Sequence, residues 1–309
     1  MADWRVPPFL RRILPLLVLE SLRELKATGT VLFPRFPRSN GFFEPSLADR
    51  QASACMSIVV PIHDAPAVTC RCLASLEKYA PESEITLVDD ASRLAETREI
   101  IQRFCGRNRW GVLRHKKTLG HSESCRDGAW FATRPYLCLL NSDTVVTPWC
   151  WRRVKEAFEQ DERIGVVGPS TNNSRNPQTQ RLATVFSSRW SDGQICAFAR
   201  HLLTGCREPL FVDLAFISGF AFFIRRGLWE KAGGFDRNLP DYGNETELCS
   251  RIARLGYRMV WVRNSYIHHF GQRSYGATLG GEGIDARCRA ATRYIRQKLE
   301  LRTHGNLQA

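Results

Sequence analysis

The sequence predicts an α/β fold: a mostly parallel sheet with helices on both faces, an amphipathic arm before it and a helix after it. Two observations carry this expectation. From Ser57 onward, short continuous apolar runs alternate with stretches of helical spacing, the rhythm of strands covered on both faces by the helices that connect them. Polar residues then collect directly after those runs, where open parallel sheets hold their ligands, beyond the carboxyl ends of the strands. At 309 residues the chain suffices for one large domain or two small ones.

Three parts follow in order. Residues 1–50 form a Pro-rich arm in which Phe9, Leu10, Ile13, Leu14, Leu17 and Leu25 alternate with Arg5, Arg11, Arg12, Arg23 and Lys26. Such an amphipathic stretch docks either on an anionic membrane surface or on the protein's own core, and both readings stand. The domain proper, 55–275, begins with the apolar run SIVVPI (57–62). A helix starts at Asp64 and Pro66 and places Val68, Cys72, Leu73 and Leu76 on one face. Further strands are expected at ITLV (85–88), WGVL (110–113) and YLCLL (136–140). Later, Glu245, Leu248, Ile252 and Leu255 recur at helical spacing, Gly256 stops the helix, and Met259 to Val262 reads as a strand. A basic helical extension, 276–309, closes the chain.

With 43% apolar, 24% charged and 10% aromatic residues, disorder and fibrous classes are excluded. The apolar run Ile13 to Leu19 falls short of the roughly 20 residues of a membrane-spanning helix. Arg11, Arg12 and Pro15 interrupt the place where a secretory signal would have its apolar core, so the protein reads as cytoplasmic, with peripheral contact on the cytoplasmic membrane face if the arm docks there. Eleven cysteines without a CxxC knuckle indicate buried thiols in a reducing compartment. The balance of 44 basic to 31 acidic residues, net +13, favours an anionic partner. Nucleic acid is set aside, because the basic stripe Arg289, Arg293, Arg296 has no reading module and few stacking aromatics around it.

The residues after the runs carry the chemistry. His63 and Asp64 follow the first, Asp89 and Asp90 the second, and Asn141, Ser142 and Asp143 the fourth. Asp64 reads equally as a helix cap, while Asp89 and Asp90 sit where a carboxylate meets a nucleotide's ribose or base. Asp143 lies at a rigid strand edge, suited to a hard divalent cation, Mg or Mn, that also binds a diphosphate. In the last third, Glu245 and Glu247 open a helix, where acids often serve only as dipole partners. The strand beyond leads into His268, His269, Gly271, Arg273 and Ser274, which combine metal ligation with cationic and hydroxyl partners for phosphate.

Taken together, SIVVPIHD, ITLVDDAS, LLNSDT, ISGFAFFIRR, GGFD, YGNETELCSRIARLGYR and HHFGQRS, in this order and spacing, resemble the inverting glycosyltransferases of family 2, with their Rossmann-like GT-A fold, over about 55–275. Bacterial relatives of this type build surface polysaccharides, rhamnosyltransferases among them. The resemblance implies transfer of a hexosyl or deoxyhexosyl group from a nucleoside-diphosphate sugar to a saccharide or lipid-linked acceptor, assisted by a divalent cation. It places His63, Asp64, Asp89 and Asp90 at the nucleotide. It places Asn141, Ser142 and Asp143 on the family's DxD metal motif, with Asn141 in place of the first acid and Asp143 left as the carboxylate ligand. Asn244 and Glu245 fall on the acidic pair whose second member is the general base. His268 or His269 completes the metal or diphosphate site.

Elementary chemistry agrees. Departure of a diphosphate develops negative charge that a cation, Arg273 and polar backbone groups stabilise, and a carboxylate, Glu245, takes the acceptor's proton as the new bond forms. One displacement inverts the anomeric centre and needs no covalent nucleophile. Gly219 lets backbone approach a ligand or simply packs a strand. Two rivals remain: a sugar nucleotidyltransferase, for which PIHDAP lacks the Gly-rich phosphate loop, and an inactive scaffold of the same fold, suggested by Asn141 and Asn244.

Overall fold

The computed structural model describes residues 43–174, 176–180, 190–271, 283 and 285–298. The arm up to residue 42, Arg273 and Ser274 lie outside the described residues.

A short helix, α1 (Leu47–Ser53), leads in. Ser46 and Asp49 close a reciprocal capping box at its start, which satisfies two N–H groups that the helix leaves without partners. The sheet then opens with β1 (Met56–Ile62), buried at all seven positions. Burial on both faces explains its unbroken apolar run. Ile58, Val60 and Ile62 pack into one core and Val59 into the other, as alternation along a strand requires. Each such side chain contributes about 1.5–3 kcal/mol relative to exposure.

β1 pairs in parallel with β2 (Glu84–Asp89) and β4 (Tyr136–Leu140), and β2 in parallel with β3 (Gly111–Arg114). The connecting helices are α2 (Pro66–Tyr79), α3 (Ala95–Asn108) and α4 (His121–Ala129). Beyond β4 come β5 (Thr144–Val145), α5 (Cys150–Gln160), β6 (Ile164–Ser170), α6 (Asp192–Gly205), β7 (Phe211–Leu214), β8 (Ala221–Arg225), α7 (Arg226–Ala232), α8 (Asn244–Arg254), β9 (Arg258–Tyr266) and β10 (His268–His269). A last helix, α9, covers 285–298.

The eight-stranded sheet has the order β3-β2-β1-β4-β8-β6-β9-β7, with β5 and β10 in a separate two-stranded pair. The five expected strands coincide with β1, β2, β3, β4 and part of β9. β6, β7 and β8 were not expected. β8 runs antiparallel between β4 and β6, and β7 runs antiparallel to β9 at the edge. An apolar run records burial, not direction, which is why ISGFAFFIRR does not show this reversal. One core holds Trp151, Phe158, Phe104 and Leu73, and the other Phe222, Phe235, Trp229 and Leu248.

All eleven cysteines are free thiols. Among the described residues no helix is long and apolar enough to cross a membrane.

Candidate active site

A cavity of about 800 Å³ opens beyond the end of β4, lined among others by Asn141, Asp143, Glu245, His269 and His121. Its geometry begins with the two-residue ladder between β5 and β10, which sets His269 opposite Thr144 and His268 opposite Val145. Successive residues of a strand point to opposite faces, so only one of the two histidines can meet Asp143.

That one is His269. Its Nε2 lies 3.3 Å from Asp143 Oδ1, its Nδ1 lies 2.8 Å from the Asn173 carbonyl, and its ring stacks on Phe220 at 5.4 Å. Because a carbonyl only accepts, Nδ1 carries a proton and Nε2 is the nitrogen offered to the cavity. Burial disfavours charge on this ring, yet the negative charge and hydrogen bond of Asp143, with the bond to Asn173, raise its pKa above the ordinary value. His268 turns the other way. Its Nδ1 lies 3.0 Å from the Tyr266 hydroxyl, it packs against Phe270 and Trp190, and burial, aided by the charges of Arg71 and His269, lowers its pKa to about 3. The structure therefore brings Asp143 and His269 together and leaves His268 in the packing. Ser142 is buried beside them, and its Oγ has no hydrogen-bond partner among the described residues.

Glu245 stands in the first turn of α8, which the left-handed Gly243 (φ 78°) turns into the cavity. Burial pushes its carboxyl up to about 7, although its own backbone N–H and that of Gly219 oppose the shift. A Cβ on Gly219 would lie 1.8 Å from Glu245 Oε1, so what approaches the Gly219 backbone is this carboxyl. Glu247 faces elsewhere: it is buried and binds Arg251 (2.6 Å) and Lys298 (2.5 Å).

His63, Asp64, Asp89 and Asp90 form a knot at the ends of β1 and β2. None of the four lines the cavity. His63 Nδ1 meets the Asp90 carbonyl at 2.8 Å. Asp64 accepts from the N–H groups of Arg93 and Leu94, both at 2.9 Å, and so pins the turn before α3, capping neither that helix nor its own. Asp89 accepts from Ser92 N–H (2.9 Å) and Arg114 Nε (2.8 Å). Asp90 accepts from Leu119 N–H (2.8 Å) and Gly120 N–H (2.9 Å), and its Oδ1 lies 2.7 Å from His115 Nδ1. These carboxylates are engaged by the protein itself and hold the loop that delivers His121.

Sequence reasoning missed His121. It follows Gly120 in a polar stretch with no apolar rhythm; besides the thiol of Cys125, one helical turn on, it meets two amides that lie 20 and 123 positions away. They are Asn141 and Asn244, the two positions at which the resemblance leads one to expect acids. Burial lowers its pKa below the ordinary value, against the charges of Asp241, Asp143 and Asp90 and the bond to Asn141. The inner face of α9 adds Ala291, Thr292, Ile295 and Arg296 to the opposite wall.

Residues 57–233, more than half of the chain, match the model of Glycosyl transferase family 2, and the chain belongs to that family. Its fold is the GT-A fold. Among solved structures it is similar to GalNAc-T7 with UDP, GalNAc and Mn2+, at 18% identity and a TM-score of 0.54, covering 69% of this chain and 43% of that one. It is also similar to the mannosyltransferase PcManGT from Pyrobaculum calidifontis in complex with GDP-Man and Mn2+, at 14% identity and a TM-score of 0.52, covering 81% of this chain and 64% of that one. The chain thus spans less than two thirds of either of those proteins. No curated protein sequence matches it.

Proposed function

We propose that the protein transfers a hexosyl or deoxyhexosyl group, rhamnosyl being one candidate, from a nucleoside-diphosphate sugar to a hydroxyl of a saccharide or lipid-linked acceptor, with inversion. One observation carries this: a carboxyl raised to about 7 and the Asp143–His269 pair converge on the same cavity, at the end of the sheet where this fold presents its ligands.

Glu245 is the general base. Its raised pKa matches a group that must be ionised yet basic enough to take the acceptor proton near neutrality. Gly219 gives its carboxyl room and, through the backbone N–H, a fixed direction. Among the described residues no group of three or more ligating side chains is found, but two donors suit a divalent cation, Mn or Mg, that shares its shell with water and phosphate; Mn2+ is named with both similar structures. Asp143 offers a carboxylate and His269 an Nε2 whose tautomer is set by Asn173, while water and phosphate oxygens complete such a shell. When bound, the cation neutralises charge on the departing diphosphate. His63, Asp64, Asp89 and Asp90 serve the nucleotide end by fixing its loops. The sequence offers the diphosphate a further cation, Arg273, which lies outside the described residues. The basic arm, which up to residue 42 lies outside the described residues, has two readings: contact with an anionic membrane face that carries lipid-linked acceptors, or packing on the protein's own core. Deleting residues 1–30 separates them: weaker vesicle binding supports the first, unfolding the second.

The test is a screen of nucleotide sugars for hydrolysis with and without Mn2+. Metal-dependent release of a nucleoside diphosphate from at least one donor is the expected result. Binding of donors without turnover would favour the inactive scaffold, and release of pyrophosphate from a sugar phosphate and a nucleoside triphosphate would favour the nucleotidyltransferase.

A further inference from the structure

His121 is held between two amides whose polarity can be read from the bonds around them. Ser122 Oγ donates to the Leu239 carbonyl, so it accepts from Asn244 Nδ2 at 2.8 Å. Asn244 Oδ1 in turn accepts from Glu245 N–H at 3.1 Å, which fixes the orientation of this amide. The same Asn244 Nδ2 lies 3.3 Å from His121 Nδ1, and because an amide nitrogen only donates, Nδ1 is the unprotonated nitrogen. His121 therefore carries its proton on Nε2, which lies 3.2 Å from Asn141 Oδ1 and donates to it. The burial that lowers the His121 pKa agrees with a neutral ring.

The chain of bonds has a consequence at its far end. Asn141 lines the cavity with Asp143, two residues along the same turn. With its oxygen turned toward His121 Nε2, the end of the amide turned away from His121 is the N–H pair of Nδ2. An N–H pair cannot ligate a cation, whereas it suits an anionic oxygen, and hydrogen bonds to charged groups are the stronger kind. We propose that Asn141 is a hydrogen-bond donor to a diphosphate oxygen of the sugar nucleotide, with His121 and Asn244 as the positioning residues that direct its amide nitrogen into the cavity. The inference rests on the transferase reading of this cavity. It also gives the two asparagines one joint role: an acid at 141 would place a negative charge against the diphosphate, and an acid at 244 would accept from His121 Nδ1 and reverse the chain.

Two measurements on the full-length chain test this. Calorimetric titration with UDP, GDP, CDP, ADP and dTDP in the presence of Mn2+ compares the wild type with Asn141→Ala and Asn141→Asp. Loss of one charged hydrogen bond weakens binding by about 10-fold or more, so both variants should bind more weakly, Asn141→Asp the more so because its charge also repels. Were residue 141 a metal ligand, Asn141→Asp would bind as tightly as the wild type or tighter, and that result overturns the inference, as does wild-type affinity in Asn141→Ala. The second measurement needs no variant to fold: 15N NMR of histidine-labelled wild-type protein should show His121 protonated at Nε2 and bare at Nδ1. A proton on Nδ1 overturns the inference. If the wild type binds none of the five diphosphates, the transferase reading fails and takes the inference with it, whereas wild-type binding that Asn141→Asp preserves removes the inference alone.

Discussion

At the scale of single residues, the account turns on Glu245. Glu245→Gln keeps the shape but cannot accept a proton, so the transfer rate should fall by about 100- to 10,000-fold while donor affinity stays near wild type, read as a kcat loss in steady-state kinetics. In the wild type, kcat should climb as pH rises through about 7 and level off above it, as the carboxyl ionises. The same shift acts on stability. The folded protein keeps the Glu245 proton between the ordinary value of 4.5 and about 7, where the unfolded chain has lost it, so stability from this group is complete below 4.5 and is lost as pH rises through 7. Glu245→Gln should therefore gain Tm relative to the wild type at pH 8 and not at pH 4; an equal difference at both would place the carboxyl in water. Gly219→Ala tests the same contact from the other side. Its Cβ displaces the carboxyl, so kcat should drop by about 100-fold, comparable to loss of one well-placed catalytic group, with far-UV circular dichroism unchanged.

At the scale of elements, the β5–β10 ladder decides which histidine faces the cavity, and α8 separates Glu245, which lines it, from Glu247, which pairs with Arg251 and Lys298. Asp143→Ala should cost about 100-fold or more in metal-dependent donor turnover, while the ladder, bonded through the backbone, survives. Glu247→Gln should do the reverse: activity at moderate temperature persists, but the loss of a buried charge shared by Arg251 and Lys298 should reduce unfolding stability by about 1–3 kcal/mol in denaturant titration. The elements were unequally legible in the sequence. β1, β2 and β4 announce themselves as unbroken apolar runs because helices cover them on both sides. β7 is short and half-buried, and β8 carries no mark of its direction. Asp143 and Glu245 were singled out from their places after a strand and at a helix start, and both line the cavity. The choice between His268 and His269 was not, because it depends on a pairing with β5 that lies more than 120 residues earlier in the chain. Asp89 and Asp90 were expected at the nucleotide from position and from the resemblance; their internal hydrogen bonds, which hold loops, were not legible because the partners lie up to 30 residues away.

At the scale of the whole molecule, the sheet collects at one end what the chain distributes over its length. Asn141 and Asp143 come from the end of β4, His121 from the start of α4, Glu245 from α8 and His269 from β10. α9 closes the far side and is tied down by Lys298 on Asp236 and Glu247 and by Arg287 on Asp241. On the proposed reading, Glu245 takes the acceptor proton across the cavity from Asp143 and His269, and the reaction is one displacement at the anomeric carbon. The stereochemistry of the reaction therefore tests the account most directly. With a donor that the protein turns over, 1H NMR during the first minutes of donor hydrolysis identifies the anomer released before it equilibrates in water. The account predicts the anomer opposite to that of the donor; release of the donor's own anomer would contradict it.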